Sequence, residues 1–193
     1  VPWEARCRRG HSKKRGGKKA GPLRFARAQG SAMRGASGKS ARIMNTAASF
    51  DIAGVSIAPG TAQDVTFQIT TMATGMASSL AVRVLHGAKP GPAVFVSAAI
   101  HGDEIIGTAI IQRLAQALRP ESLSGTVLLV PVANIFGFLN RSRYLPDRRD
   151  LNRSFPGSSG GSLAGQIARI FYREVVGRCQ LGIDIHSAAI HRY

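Results

Sequence analysis

The chain has 193 residues and a formal net charge of +16, from 26 Lys or Arg residues against 10 Asp or Glu residues. This length is sufficient for one domain with a sizeable hydrophobic core. The two cysteines give no disulfide framework, so a reducing compartment, the cytoplasm, is expected. Neither a signal peptide nor the run of about 20 apolar residues that a membrane-spanning helix needs is visible.

The positive charge is concentrated at the start of the chain. Residues 1–44 hold thirteen of the Lys and Arg residues and one acidic residue. This composition cannot bury enough apolar surface to fold, so we predict a basic tail, disordered or non-native, before a folded domain at 45–193. Three origins compete: a tail that binds nucleic acid or another anionic surface, a transit peptide, and sequence foreign to the native protein. The last is favoured because the chain opens on Val1, while Met33 and Met44 lie just before the first regular pattern.

Several strands are predicted in the first part of this domain. Alternating apolar and polar residues predict short strands at 55–58 and 65–69, and a further strand at 80–87. Residues 88–92 predict a tight turn because they contain two prolines and a glycine. The short apolar run at 93–100 is partly β-branched and predicts a buried strand.

A helical pattern follows at 105–118 and ends before Arg119-Pro120. Its apolar side is predicted to hold Ile105, Ile106, Ile110, Leu114 and Leu118. A second almost continuous apolar strand is predicted at 125–132. A strand, a helix and another apolar strand in succession indicate an α/β fold in which the two strands are parallel and buried on both faces.

The last third of the chain begins with a long polar segment, 134–161, which predicts a functional or irregular loop. A second amphipathic helix is predicted at 162–178, with Ser162 as its N-cap. A third short strand is predicted at 181–186, and it ends in a histidine.

Two of the predicted strands end at histidines that could serve one centre. His101 follows the run 93–100 with Glu104 three residues later, and His186 ends the run 181–186. Open α/β sheets bind ligands at the carboxyl ends of their strands, so parallel neighbours would bring the three side chains together. Two imidazoles and a carboxylate suit zinc and leave a fourth coordination position for water. The alternative is a helix-start glutamate and two strand-end histidines without a ligand role.

The arginines of the long loop provide candidates for substrate recognition. The planar guanidinium binds a carboxylate through two parallel hydrogen bonds, which lysine cannot match. Arg143 and Arg153 are the candidates, with Asn152 as a hydrogen-bonding partner. The alternative is a solvated basic loop, which remains the simpler interpretation for Arg148 and Arg149.

Taken together, these motifs resemble the succinylglutamate desuccinylase/aspartoacylase family of zinc-dependent hydrolases, which is related to the zinc carboxypeptidases. The resemblance runs from about residue 93 to residue 193, and the order and spacing of its motifs make it specific. The motifs are His101-Gly102-Asp103-Glu104, Asn140-Arg141-Ser142-Arg143-Tyr144, Asp150-Leu151-Asn152-Arg153-Ser154-Phe155-Pro156-Gly157 and Asp184-Ile185-His186. The resemblance implies a zinc-carboxypeptidase-like mixed, largely parallel sheet flanked by helices and incomplete at the C-terminus.

The resemblance also implies roles for individual residues. Zn²⁺ would be the cofactor, and its ligands would be His101, Glu104 and His186. Asn152 and Arg153 would bind the substrate carboxylate, while Arg143 would hold the substrate or polarise its carbonyl. Members of this family cleave N-acyl amino acids into an acyl acid and a free amine. The implied function is therefore zinc-dependent deacylation of a small-molecule N-acyl amino acid or a related acyl compound.

One part of the family's site has no counterpart in the sequence. The family's general base is a glutamate well downstream of the third ligand, so we expect it beyond Tyr193 and assign no catalytic residue within the chain. Glu104 is assigned to the metal, and Glu174 lies on a helix with no sign of facing the site. Residues 45–193 are therefore expected to be the N-terminal part of a zinc hydrolase catalytic domain, which binds metal but turns over poorly.

Two other functions remain open. A carboxypeptidase-like metallopeptidase would use the same metal site with a different substrate pocket. A nucleic-acid-binding protein would act through the basic tail, although nucleic acid is the less favoured partner. No membrane partner is expected, and a homo-oligomer is left open.

Overall fold

The structure, a computed structural model, describes residues 46–73, 75 and 77–188, so the predictions for the basic tail lie outside the described residues. Two short strands, β1 (Phe50–Ile52) and β2 (Val55–Ile57), form an antiparallel hairpin. In the part of the chain that is described, the main sheet has five strands in the order β3-β4-β6-β5-β7. Their bounds are Thr61–Thr71 for β3, Ala77–His86 for β4, Lys89–Ala98 for β5, Ser124–Val130 for β6 and Leu181–Ile185 for β7.

The sheet is mixed, and its parallel part carries the candidate site. Strand β5 is central and pairs in parallel with β6 on one side and with β7 on the other. Strands β3 and β4 are antiparallel to each other, and β4 is also antiparallel to β6. The predicted α/β fold with a mixed sheet is confirmed, including the parallel pair formed by the two apolar strands.

Strand β5 begins earlier than its sequence suggests, so the turn predicted over 88–92 is wrong from Lys89 onward. Lys89 already pairs with Ser124 of β6, and the register then shifts before Ala93. The two prolines lie in this shifted stretch, where no ladder hydrogen bond is required of their missing N–H groups. The irregularity therefore lets a proline-containing segment enter a central strand.

The α-helices within the described residues are α1 (Ile106–Ala117), α2 (Ile135–Leu139) and α3 (Leu163–Glu174), and α1 and α3 pack on the sheet. The sequence predicts α1 and α3 but not the short α2, which interrupts the long polar segment. The predicted cap of α3 is confirmed, because Ser162 Oγ accepts a hydrogen bond from the backbone N–H of Gly165 at 3.2 Å. None of the helices in the part of the chain that the structure describes is long and apolar enough to cross a membrane.

Helices α1 and α3 pack on opposite faces of the sheet. The face under α3 carries the larger core, in which Phe95 of β5 contacts Phe171 of α3 edge-to-face with ring centroids 5.8 Å apart. The face under α1 carries a smaller core that includes Val96 and Ala98 of β5. Alternate residues of β5 thus support both layers, because successive strand side chains point to opposite faces. Burial on both faces is why β5 reads as an almost continuous apolar run.

The buried face of α1 matches the predicted one toward the end of the helix, where Leu114 and Leu118 pack against the smaller core, but differs from it in the first turns. Ile106 and Ile110 are 61% and 46% exposed, whereas Ile111 is 1% exposed and packs in the smaller core. Gly107 also faces the sheet, where a Cβ would lie 2.7 Å from the Cβ of Ala98. The helix therefore approaches the sheet closely along Gly107 and Ile111. An isoleucine-based pattern cannot identify this side, because glycine carries no hydrophobic signal.

This orientation of α1 predicts a difference between neighbouring isoleucines. Ile111→Ala should lower the free energy of unfolding by about 2–5 kcal/mol, because it removes a fully buried side chain and leaves a cavity. Ile110→Ala is the matched control and should change that free energy by well under half as much, since Ile110 is largely exposed. Urea unfolding of both variants measures the difference. Equal losses would contradict the packing of α1 described above.

Candidate metal and substrate site

Three potential metal ligands meet at the carboxyl ends of β5 and β7. Ala99 has a left-handed backbone (φ 51°) directly after β5, and the chain then turns through His101 and Glu104 before α1 begins. His186 follows the last residue of β7, the parallel neighbour of β5. Ligand atoms of these three residues all lie within 4.8 Å of one another. The sequence-predicted trio is therefore brought together by the sheet order.

Glu104 lies at the centre of this group. One carboxylate oxygen, Oε1, is 2.9 Å from Nδ1 of His101, and the other, Oε2, is 2.8 Å from Nδ1 of His186. The backbone N–H of Ser187 also donates to Oε2, at 3.1 Å. The Glu104 side chain is only 7% exposed. Both imidazoles thus direct the same ring nitrogen, Nδ1, toward one buried carboxylate.

Each histidine contacts a second carboxylate through its other ring nitrogen. Nε2 of His101 is 3.2 Å from Oδ1 of Asp150, and Nε2 of His186 is 2.8 Å from Oδ2 of Asp184. Metal-binding histidines characteristically place their remote nitrogen against a carboxylate, which fixes the tautomer and the orientation of the ring. The two flanking aspartates are therefore those expected around histidines that bind a metal.

The charges of this group are unbalanced among the residues that the structure describes. Glu104, Asp150 and Asp184 contribute three carboxylates, and Arg143 is the one guanidinium within 46–188 that contacts them. Buried charges are costly unless they are paired, so the surplus negative charge requires a cation or protonated imidazoles. Two imidazoles and a carboxylate form a donor set that suits Zn²⁺. The residues present thus fit a divalent metal ion in both charge and chemistry.

The pKa of His186 reflects this surplus. The Asp184 carboxylate, followed by Glu104, raises the pKa of His186 to about 9, although partial burial acts in the opposite direction. A protonated His186 neutralises part of the negative charge when no metal is bound. A metal ion would therefore take the place of a proton on this imidazole, because both occupy the same lone pair.

Gly102 allows the loop between His101 and Glu104 to pack against α2. A Cβ at this position would overlap the backbone of Gly137 and Phe138. Asn134 holds this part of α2 in place, because its Oδ1 accepts a hydrogen bond from the backbone N–H of Gly137 at 2.8 Å. The glycine of the His-Gly-Asp-Glu motif is therefore required by a close backbone approach.

The three predicted substrate residues differ in their relation to the metal ligands. Arg143 lies beside them, with NH1 3.6 Å from Oε1 of Glu104 and NH2 3.0 Å from Oδ2 of Asp150. Asn152 is in a short 3₁₀ turn that Asp150 begins, and its Oδ1 is buried without a hydrogen-bond partner among the described residues. Arg153 is in the same turn but is exposed, and its guanidinium forms no ion pair within 46–188.

Buried polar atoms without partners cluster on the segments that carry this group. Within the described residues these atoms are Oδ1 of Asp103, Oδ1 of Asn152, Oγ of Ser187 and Oδ2 of Asp184, the last of which is 2.8 Å from Nε2 of His186 but makes no aligned hydrogen bond to it. Buried polar groups in proteins are usually satisfied, so several such atoms around one centre indicate a place where a ligand or water completes the hydrogen bonds. The orphaned Oδ1 of Asn152 is an acceptor and needs a donor such as water, whereas the predicted contact to a substrate carboxylate would use the NH₂ group of the same side chain.

The sequence interpretation assigned no role to Asp150 and Asp184. The contact of Asp184 with His186 could have been found from the sequence, because residues two apart on a strand share a face and Asp184 precedes His186 by two. No local pattern in the sequence indicates the role of Asp150, since its contacts to His101 and Arg143 depend on the path of the loop. Glu174 is held by Arg178, with oxygen and nitrogen 2.8 Å apart, and it lines a groove between α3 and β3. The expectation that Glu174 does not face the metal ligands agrees with these contacts.

The sequence matches the family model for the succinylglutamate desuccinylase/aspartoacylase catalytic domain over residues 90–193. It is also 38% identical over 98 residues to the N-alpha-acetyl-L-2,4-diaminobutyric acid deacetylase of Halomonas elongata. That match covers 50% of this chain and 29% of the deacetylase. The region that the family model matches, 90–193, contains all the residues of the candidate site.

Solved structures are similar over a larger share of the chain. A succinylglutamate desuccinylase/aspartoacylase from Rhodobacter sphaeroides superimposes with a TM-score of 0.64 at 26% identity, covering 75% of this chain and 44% of that one. The product-bound ectoine utilization protein EutE (DoeB) from Ruegeria pomeroyi gives 0.59 at 29% identity, covering 65% and 40%. The chain thus spans less than half the length of each of these relatives.

Proposed function

Because this chain belongs to the succinylglutamate desuccinylase/aspartoacylase family, we propose that it carries the metal-binding half of a zinc-dependent deacylase that hydrolyses N-acyl amino acids. The observation that carries the proposal is the convergence of His101, Glu104 and His186 at the carboxyl ends of two parallel strands. We further propose that residues 45–193 are the N-terminal part of the catalytic domain and that 1–44 form a separate basic tail.

The proposed ligands of Zn²⁺ are His101, Glu104 and His186. A bound Zn²⁺ supplies a Lewis acid and lowers the pKa of a coordinated water toward about 7. The chain's contribution is orientation, because Asp150 and Asp184 hold the remote nitrogens of the two histidines. The Glu104 carboxylate is itself held by the backbone N–H of Ser187 and by the guanidinium of Arg143.

The proposed substrate contacts come from the loop after α2. Arg143 is close enough to the metal ligands to contact a carbonyl oxygen that is bound there, and Asp150 fixes its guanidinium. Asn152 and Arg153 lie in the 3₁₀ turn that follows Asp150. The exposed guanidinium of Arg153 can bind a substrate carboxylate there through two hydrogen bonds. The general base is proposed to be a glutamate that follows these residues in the whole protein.

The chemistry of the relatives suggests the acyl group to test first. The similar Halomonas elongata protein is a deacetylase of an N-acetylated diamino acid, as its name states. We therefore propose a small N-acyl amino acid as the substrate class, with an acetyl group as the first candidate.

The test uses the longest reading frame that encodes these residues. The purified protein, loaded with zinc, is incubated with N-acetylated amino acids, and released acetate and free amine are measured. We expect equal amounts of the two products, loss of activity after chelation, and recovery when zinc is returned.

Two controls make this assay decisive. The His186→Ala variant should remain inactive after zinc is returned, because one metal ligand is missing. A peptide with a free C-terminus tests for carboxypeptidase activity in the same preparation. Cleavage of the peptide without cleavage of any N-acyl amino acid would contradict the proposal.

A further inference from the structure

We propose that Asp184, held by Ser97, is a positioning residue that fixes the orientation of His186 and thereby sets the affinity of the site for a divalent metal ion. The inference rests on the proposed function, because His186 is one of the proposed ligands. It assigns a role to a buried side-chain pair on the two strands that end at the candidate metal site.

Ser97 and Asp184 are register partners on the neighbouring strands β5 and β7. Ser97 Oγ donates a hydrogen bond of 2.7 Å to Oδ1 of Asp184. Ser97 is buried, and the Asp184 side chain is 6% exposed. The carboxylate is therefore fixed by strand pairing inside the sheet layer rather than by a mobile surface contact.

The free oxygen of this carboxylate is directed at His186. Residues two apart on a strand share a face, which places His186 directly beyond Asp184. Oδ2 of Asp184 lies 2.8 Å from Nε2 of His186 and makes no aligned hydrogen bond to any described residue. A buried carboxylate oxygen needs a donor, and the imidazole is the group within reach.

Besides Asp184, the groups that constrain the His186 ring within the described residues are Glu104, through its contact with Nδ1, and the ring of His101. The His186 side chain is 38% exposed, whereas that of His101 is 3% exposed and is held by packing. An exposed imidazole can rotate about both side-chain bonds. With an N–H on Nε2 donating to Asp184, Nδ1 keeps its lone pair and faces Glu104 and the metal position.

Asp184 also differs from Asp150 in what else it contacts. Asp150 accepts hydrogen bonds from Arg143 and from the backbone N–H of Asn152, so it is shared with the substrate residues. Asp184 contacts Ser97 and His186 and, within the described residues, no part of the arginine loop. A change at Asp184 therefore tests metal binding separately from substrate binding.

The experiment compares Asp184→Asn, Ser97→Ala and the double variant. An asparagine that accepts from Ser97 presents its NH₂ group to Nε2, so the N–H of His186 would move to Nδ1 and point at the metal position. The dissociation constant for Zn²⁺, measured by chelator competition, should rise about 10- to 100-fold in Asp184→Asn. Ser97→Ala should cause a smaller rise, and the double variant should match Asp184→Asn, since the serine acts through the carboxylate.

Two further measurements separate positioning from general stability. The visible absorption of the Co²⁺-loaded protein should shift in Asp184→Asn, because the ligand geometry changes. Ser78→Ala, which alters another buried serine of the same sheet, should leave both the zinc affinity and the Co²⁺ spectrum unchanged.

The outcomes that overturn the proposal are distinct from those that overturn the proposed function. If the parent binds zinc, His186→Ala loses it and Asp184→Asn stays within twofold of the parent, the positioning role is wrong and the proposed function stands. A parent protein that binds no zinc overturns both. Should Asp184→Asn fail to fold, Ser97→Ala decides, and unchanged affinity and Co²⁺ absorption in that variant overturn the proposal.

Discussion

His101→Ala and His186→Ala are each expected to reduce bound zinc from about one ion per chain to background. The three proposed ligands are all that the described residues offer at this centre, so either change leaves an imidazole and a carboxylate. Two protein ligands hold zinc far less tightly than the three of a catalytic site. Elemental analysis after dialysis against zinc-containing buffer measures the loss.

The matched control for these variants is a histidine outside the group. His86 lies near the amino end of β6, away from the strand ends that carry the metal ligands. Its ring nitrogens contact Thr126 Oγ1 at 2.8 Å and the Ala48 carbonyl oxygen at 2.7 Å. His86→Asn should therefore retain zinc even if it lowers stability. Zinc content equal to that of the parent in both His101→Ala and His186→Ala would contradict the proposed metal site.

Elements with a strong local signal could be predicted from the sequence. Strand β6 is an apolar run buried on both faces, and Ser162 caps α3 as predicted, because each depends on a few neighbouring residues. The buried side of the first turns of α1 could not be predicted, since Gly107 makes the close approach to the sheet there. The turn before β5 was also misplaced, because an irregular register accommodates the prolines within a strand.

In the candidate site, too, local features could be predicted from the sequence and long-range contacts could not. The spacing of His101 and Glu104 is local, and both lie in one turn after β5. Their association with His186, 82 residues after Glu104, depends on the pairing of β7 with β5. From the sequence alone this pairing could only be assumed. The contact of Asp150 with His101 spans 49 residues and depends on how the long loop folds back. Long-range contacts of this kind leave no periodic trace in the sequence.

The two candidate substrate arginines are expected to act differently, because the structure gives them different surroundings. Arg143 is partly buried and contacts Glu104 and Asp150, beside the proposed metal ligands. Arg153 is exposed and unpaired in the described part of the chain. We therefore assign carbonyl polarisation to Arg143 and recognition of the free carboxylate to Arg153.

This assignment predicts two patterns of loss in the whole protein. Arg143→Ala should lower kcat about 10²- to 10³-fold, the usual cost of removing a donor that stabilises charge in the transition state. The loss should be the same for an N-acyl amino acid and for its carboxyl-amidated form, since the carbonyl is present in both. Activity is expressed per bound zinc, because Arg143 also contacts a metal ligand.

Arg153→Lys should lower kcat/KM by about tenfold or more for the N-acyl amino acid, because lysine keeps the charge but loses the two-hydrogen-bond contact. A factor of ten corresponds to about 1.4 kcal/mol, within the range of a hydrogen bond to a charged group. The loss should shrink for the amidated substrate, and zinc content should not change. Arg149→Lys is the matched control from the same loop and should behave as the parent. If Arg153→Lys hydrolyses both substrates as the parent does, the carboxylate is bound elsewhere, and Arg143 or Arg149 becomes the better candidate.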